Sequence, residues 1–238
     1  MKQRGAFESA IKTGESRYGL LLLILFALLL IYPFLGYHKY LNWLFSLISL
    51  GVVISGVRVS YGRGLAYFFT LILGVAFVVA DVLSRSFGVE AAHPVAAGLR
   101  FLFLGQLIFV TFADIMQSKH VSTNTVLGAS CIFVMIGLAF GSAYILLQWL
   151  IPGAFHIPDL SKTANGNFGA QKIEFQLVYF SIVTMTTVGF GDILPLAAPA
   201  RALTSFEGLL SQLYLAIIIA RLVGLEIASR LQNPKPDE

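Results

Sequence analysis

The sequence contains the stretch Thr187-Val188-Gly189-Phe190-Gly191-Asp192, which follows a mainly apolar run too short to span a bilayer, Phe175–Met185. Glycine at alternate positions lets the backbone adopt positive φ there, so that successive carbonyls can turn to one side. A row of carbonyls around a common axis can replace the hydration shell of a cation. The stretch therefore predicts a cation-binding loop between a short helix and the long apolar segment that follows it.

The hexapeptide and its flanks resemble the pore signature of the tetrameric potassium channel family. The likeness is close from Phe175 to Pro195 and extends in architecture from Thr123 to Leu231. It resembles most the six-span, one-pore, voltage-insensitive prokaryotic members of that family. The resemblance implies a potassium-selective channel that conducts K⁺ passively, with no cofactor apart from the permeant K⁺ ions.

The resemblance also assigns roles to single residues of the predicted selectivity filter. The residues whose carbonyls would bind K⁺, together with the Thr187 hydroxyl, are Thr187, Val188, Gly189 and Phe190. Gly191 would complete the bend, and Asp192 would attract cations to the pore mouth and accept hydrogen bonds from behind the filter. One strand supplies carbonyls from one side only, so the chain is expected to assemble with three further copies of itself.

Three residue types depart from the commonest pattern of the family. The usual filter tyrosine is Phe190, the paired tryptophans of the pore helix are Tyr179 and Phe180, and the acid that some members carry behind the filter is Val183. Because the hydroxyl that normally ties the filter to the pore helix is missing at Phe190, and the other two departures also change its polar neighbours, we expect a weaker polar cuff around the filter.

Composition places the chain in the membrane. Of its 238 residues 57% are hydrophobic and 12% charged, with a mean hydropathy of +0.82, whereas soluble domains carry about 25% charged residues. The expected fold is an all-α membrane protein with six transmembrane helices, a pore half-helix from about Glu174 to Met185, and the filter loop. The predicted spans are Tyr18–Gly36, Tyr40–Val57, Leu65–Leu83, Val95–Phe112, Thr125–Leu150 and Ala200–Leu225.

The basic residues predict the orientation, because cytoplasmic segments are enriched in Lys and Arg. With six spans and both termini in the cytoplasm, nine basic residues lie inside and five outside, the five being Lys39, Arg85, Lys162, Lys172 and Arg201. This orientation puts the filter at the extracellular mouth of a cell-membrane protein. Because the basic residues flank apolar runs, the expected partners are K⁺ and the lipid bilayer, and no nucleic acid.

Two parts are predicted: an N-terminal four-helix domain, residues 1–120, and a pore domain, residues 121–238. The first has the position of a voltage sensor, but its fourth helix carries Arg100 as its only basic residue. Sensors carry about three to four charges per subunit, so steep voltage gating is not expected. Asp81 and Asp114 could pair with Arg85 and Arg100 or reach solvent.

The last span resembles the inner helix of the family. Thr186 and the spaced residues Gln212, Leu215 and Ile219 are expected to line the central cavity. Glu207 is ionisable inside an apolar span and is therefore a functional candidate, predicted to support the filter or pore helix from behind. In the pore half-helix, Glu174 is expected to complement the positive end of the helix dipole.

Other functions remain as alternatives at this stage. A potassium-uptake transporter subunit would normally carry four degenerate filter repeats, whereas this chain has one. A weakly selective cation channel would expect the last filter residues to be disrupted, and a silent subunit would leave the full signature unexplained. No enzyme is expected, because the four histidines lack paired acids or cysteines at metal-ligand spacing: His38, His93, His120 and His156.

Overall fold

The computed structural model describes residues 17–31, 39–61, 64–87, 89, 91–118, 121–158 and 167–232. Within these ranges the chain forms seven α-helices and one pair of two-residue strands. In chain order these are α1 (Arg17–Ile31), α2 (Lys39–Ser60), α3 (Leu65–Ser86), α4 (Ala92–Gln117), α5 (Thr123–Leu150), β1 (Phe155–His156), α6 (Asn167–Met185), β2 (Leu194–Pro195) and α7 (Ala198–Gln232).

Five of the described helices, α2, α3, α4, α5 and α7, are long and apolar enough to cross a membrane. A span needs about 20 apolar residues to cross about 30 Å of hydrocarbon. Helix α1 has 15 residues, and residues 32–36 of the first predicted span lie outside the described ranges. The helical, multi-pass membrane fold is therefore confirmed, while the sixth span stays a prediction.

Helix α6 begins earlier than predicted. It runs from Asn167 to Met185, so its end agrees with the sequence analysis but its expected start near Glu174 is wrong. The sequence analysis delimited the helix by its apolar residues, although Ala170, Gln171 and Lys172 also favour helix. Because a helix dipole acts mainly within the first turn, Glu174 lies too far along α6 for the role assigned to it.

Helix α5 begins at a capping box close to the predicted boundary at residue 121. The Ser122 hydroxyl accepts a hydrogen bond from the Thr125 amide at 3.2 Å, and the Thr125 hydroxyl accepts one from the Ser122 amide at 3.3 Å. Such a reciprocal cap satisfies two amides that the helix leaves unpaired. The short connection from α4 places α4 and α5 side by side.

A single hydrophobic core joins the two predicted parts of the chain. Its fully buried members come from α1, α2 and α4 as well as from α5 and α6, and α3 contributes Phe77; among the fully buried residues are Leu21, Leu25, Phe45, Phe103, Leu107, Ile132, Met135 and Leu177. The four N-terminal helices thus pack against the α5 and α6 of their own chain. The division at residue 120 stays a prediction about function.

Two glycines of α5 allow α6 to approach closely. A Cβ at Gly141 would lie 2.9 Å from the Cα of Val178, and one at Gly137 would meet Ile182 Cδ1 at 2.5 Å and Met185 Sδ at 2.7 Å. The two glycines are four residues apart, and small residues at this spacing let membrane helices pack backbone to backbone. The sequence analysis missed this contact.

We predict that Gly141→Ala destabilises the protein more than Gly137→Ala does. The added methyl at position 141 meets backbone, which has to move as a unit, whereas position 137 meets the flexible ends of side chains. Overpacking of this kind costs about 1–3 kcal/mol. The free energy of unfolding in mixed detergent micelles measures the difference, and equal values for the two variants would contradict the backbone contact.

Candidate functional site

The C-terminal end of α6 leads directly into the hexapeptide, and the backbone there has an unusual alternation. Positive φ occurs at Thr187 (61°), Gly189 (55°) and Gly191 (76°). The two glycines adopt the conformation expected from the sequence, whereas the positive φ at Thr187 was not expected. A β-branched residue with positive φ is strained by about 1–3 kcal/mol, and such strain clusters at functional sites.

The amides of the hexapeptide turn back to the end of α6. Thr187 N donates to Thr184 O at 3.0 Å, and the amides of Val188 and Gly189 both donate to Val183 O, at 3.1 and 3.4 Å. Among the described residues no hydrogen bond uses a carbonyl of residues 187–191 as its acceptor. The amides of residues 187–189 are thus bonded to the end of α6, and the carbonyls of residues 187–191 are left available for a ligand.

The negative end of the α6 dipole lies at the start of this segment. The last carbonyls of a helix carry partial negative charge, which favours a nearby cation. The side chain of Thr186 adds to the closure of the helix, since its hydroxyl donates to Ile182 O at 2.6 Å. Charge and backbone conformation therefore both favour cation binding at residues 187–191.

Tyr179 of α6 contacts the hexapeptide at both Phe190 and Asp192. The rings of Tyr179 and Phe190 stack with centroids 6.5 Å apart and planes 5° from parallel. Burial, a side-chain hydrogen bond to Asp192 and the charge of Asp192 raise the pKa of Tyr179. Tyr179 therefore lies close to Asp192 as well as to the ring of Phe190, and the predicted role of Asp192 at the pore mouth stays a prediction.

The exit of the segment is fixed by the strand pair. Phe155 and His156 of β1 pair antiparallel with Pro195 and Leu194 of β2. The amide of Leu196 donates to Ala154 O at 2.8 Å. These bonds tie the connection after α5 to the connection before α7, so both ends of the hexapeptide are held.

Glu207 of α7 is fully buried and contacts both α5 and α6. Its carboxylate accepts hydrogen bonds from the Tyr144 hydroxyl at 2.5 Å and from the Ser181 hydroxyl. The Ser181 hydroxyl also lies 2.7 Å from Gly137 O, which can accept its single proton. Glu207 of α7 thus contacts α6 through Ser181, while its predicted support of the filter stays a prediction.

The sequence analysis missed the two hydroxyl partners, Tyr144 and Ser181. Both lie in apolar helices, where a lone hydroxyl is ordinary, and each is far from Glu207 in sequence (63 and 26 residues). The feature that could have indicated these partners is Glu207 itself, because burying a polar group without a partner is costly. An acid inside a span requires donors on neighbouring helices.

The three residues of α7 predicted to line a cavity do not share one environment in the single chain. Gln212 and Ile219 are exposed, whereas Leu215 is half-buried and packs against the core. Thr186 is exposed beside the hexapeptide. Their assignment to a cavity stays a prediction.

A family model described as an ion channel matches residues 132–225, which is less than half of the 238 residues. The match covers most of α5, all of α6, the hexapeptide and most of α7. Comparisons with curated proteins and with solved structures give no match. Residues 132–225 of this multi-pass membrane protein are therefore similar to an ion-channel domain.

We predict that Glu207→Leu destabilises the protein, whereas the matched variant Glu207→Gln does not. Leucine leaves the Tyr144 hydroxyl without its carboxylate acceptor, at about 1–3 kcal/mol, while Ser181 can still donate to Gly137 O. Glutamine keeps an acceptor for Tyr144 and can donate to Ser181, whose single proton is already shared between two acceptors. Unfolding free energies in mixed micelles test this, and a leucine variant as stable as the glutamine variant would refute it.

Proposed function

We propose that this protein is a potassium-selective channel that conducts K⁺ passively across the cell membrane. The observation that carries the proposal is the set of carbonyls at residues 187–191, which no described group occupies while the neighbouring amides bond back to α6. Rings of backbone carbonyls replace the hydration shell of K⁺ in selectivity filters. The carbonyls of Thr187, Val188, Gly189 and Phe190 are the proposed K⁺ ligands.

The exposure of the hexapeptide supports assembly as a homotetramer. In the single chain residues 186–192 are all exposed, with Val188 53% and Phe190 69% exposed. Non-helical backbone at membrane depth is tolerated only where protein or a water-filled cavity covers it. Three further copies around a central axis would supply both the cover and the remaining carbonyls.

The same assembly would give α7 its partners. This helix is the least buried of the five apolar helices, with 17% of its apolar window buried in the chain. Large exposed side chains such as Phe206, Leu209 and Leu213 follow its surface. The proposed orientation, with both termini in the cytoplasm and the hexapeptide at the outer mouth, rests on the distribution of basic residues.

With purified protein in a planar bilayer and Na⁺ replacing K⁺ on one side, we expect the current to reverse near the K⁺ equilibrium potential. We expect Gly189→Ala to abolish this K⁺-selective current. Gly189 has φ +55° and, within the single chain, open space around it, so alanine there tests the backbone conformation, at about 1–2 kcal/mol for a left-handed non-glycine residue. Gly105→Ala on α4, also in open space but without positive φ, is the matched control.

Three results would overturn parts of the proposal. Equal passage of Na⁺ would contradict selectivity and favour a weakly selective cation channel. Loss of selectivity in the Gly105→Ala control would contradict the assignment to residue 189. A lack of current from an intact tetramer would contradict conduction by this chain alone and favour a transporter subunit or a silent subunit.

The structure of α4 supports a channel without steep voltage gating. Arg100 is buried, and its Nε donates to the Ser142 hydroxyl of α5 at 2.8 Å. The basic residue is thus fixed to the helix that flanks the pore helix. A residue held in this way does not move through the field of the membrane.

We predict that the conductance changes by less than about tenfold over 100 mV. One charge crossing the whole field would supply about 2.3 kcal/mol per 100 mV, which changes the ratio of open to closed channels roughly fiftyfold. Arg100→Gln should leave this shallow dependence unchanged. Conductance–voltage curves of both proteins give the comparison. A steep curve that becomes shallow in the variant would identify Arg100 as a gating charge and contradict the prediction.

A further inference from the structure

The outer end of α3 carries an arginine that is buried rather than extracellular. The sequence analysis assigned Arg85 to an outside segment, but its side chain is 1% exposed and lies in the last turn of α3. Its Nε donates to Asp81 Oδ1 at 2.8 Å within the same helix. Its Nη2 donates to the Glu174 carboxylate of α6, 89 residues further along the chain. One guanidinium therefore joins the N-terminal helices to α6.

Neighbouring side chains enclose this ion cluster. The guanidinium carbon of Arg85 lies 4.2 Å from the ring centroid of Phe45 on α2. His93 of α4 is within hydrogen-bonding distance of the second Glu174 oxygen, 3.2 Å from Nδ1 to Oε1, and stacks on Trp149 of α5. Glu174 thus receives contacts from α3 and α4, in a site that water does not reach.

The carboxylate of Glu174 is ionised in this site. Burial alone would raise its pKa, but the charge of Arg85, the hydrogen bond with His93 and the charge of Arg100 lower the pKa to about 2. Removing one partner of a buried ion pair is strongly destabilising when the other charge is left uncompensated. The ion pair between Arg85 and Glu174 is therefore expected to fix the position of α6 against α3.

Glu174 lies on the helix whose C-terminal end holds the hexapeptide. The helix continues from Glu174 to Met185 and ends in the carbonyls that accept the amides of residues 187–189. A displacement at Glu174 therefore moves Val183 O, the acceptor for both Val188 and Gly189. We infer that Arg85 is a positioning residue through which the four N-terminal helices hold α6, and with it the proposed filter, in its conducting geometry. This inference rests on the proposed function.

The two carboxylates beside Arg85 provide a matched pair of variants. Glu174→Gln removes the ion pair to α6 but leaves Arg85 neutralised by Asp81. Asp81→Asn removes a carboxylate from the same guanidinium but leaves the pair to Glu174, and the asparagine can still accept from Ser46, which lies 3.1 Å from Asp81 Oδ2. The variants change the charge equally, and only the first loosens α6. Neither leaves Arg85 buried without a carboxylate.

The test compares both variants with the wild-type protein, reconstituted in liposomes, by hydrogen–deuterium exchange and by single-channel recording. In Glu174→Gln we expect the amides of residues 175–189 to exchange about tenfold faster, because local opening of α6 becomes easier. We also expect a several-fold lower open probability at unchanged unit conductance. Asp81→Asn should stay near wild type in both measurements, even where the two variants lower thermal stability alike.

Each outcome decides the inference. Equal effects of the two variants would mean that the cluster only stabilises the fold, and this result would overturn the inference. Faster exchange in Glu174→Gln without a change in open probability would overturn the link to conduction. If the wild-type protein carries no K⁺-selective current, the proposed function fails, while exchange at Val188 and Gly189 still shows whether Glu174 positions the hexapeptide.

Discussion

The carbonyl of Val183 is the acceptor on which the geometry of the hexapeptide depends. It receives the amides of Val188 and Gly189 at 3.1 and 3.4 Å, so the end of α6 takes up donors that would otherwise point outward. In a bilayer every backbone polar group needs a partner. The end of α6 supplies partners to the amides of residues 187–189, and the carbonyls of the segment accept no hydrogen bond from the described residues. The orientation of the segment is thus set by the position of one helix end.

That helix end is only as fixed as the contacts along α6. At its middle, Val178 lies against the bare backbone of Gly141, and one turn further Ser181 bonds to Glu207. Toward its start Glu174 is held by Arg85. The contacts come from α5, α7 and α3, and they differ in kind: close packing, a neutral hydroxyl and an ion pair. Because packed elements shift between discrete arrangements rather than deforming continuously, contacts from three directions define one position of α6.

The sequence predicted the features that depend on local residues, but it did not predict the contacts between helices. Alternating glycines predicted the positive φ at Gly189 and Gly191, and apolar length predicted the five long helices. Glu207 could be singled out as an acid in an apolar span. Its partner Tyr144 could not be predicted, nor could the pairing of Arg85 with Glu174. The residues of these two pairs are 63 and 89 positions apart, and they meet only once α5 has packed with α7 and α3 with α6. Periodicity reports the face of a helix but not the neighbour opposite it.

The departures from the family pattern redistribute the support of the hexapeptide. Without a tyrosine hydroxyl at position 190, the ring of Phe190 stacks on Tyr179, whose own hydroxyl is committed to Asp192. Stacking constrains where the ring lies but gives less directional restraint than a hydrogen bond, so more of the restraint must come through α6 itself. A channel arranged in this way would regulate conduction by what holds α6. On the inference drawn above, the buried contacts of Glu174 with Arg85 and His93 would link that control to α3 and α4.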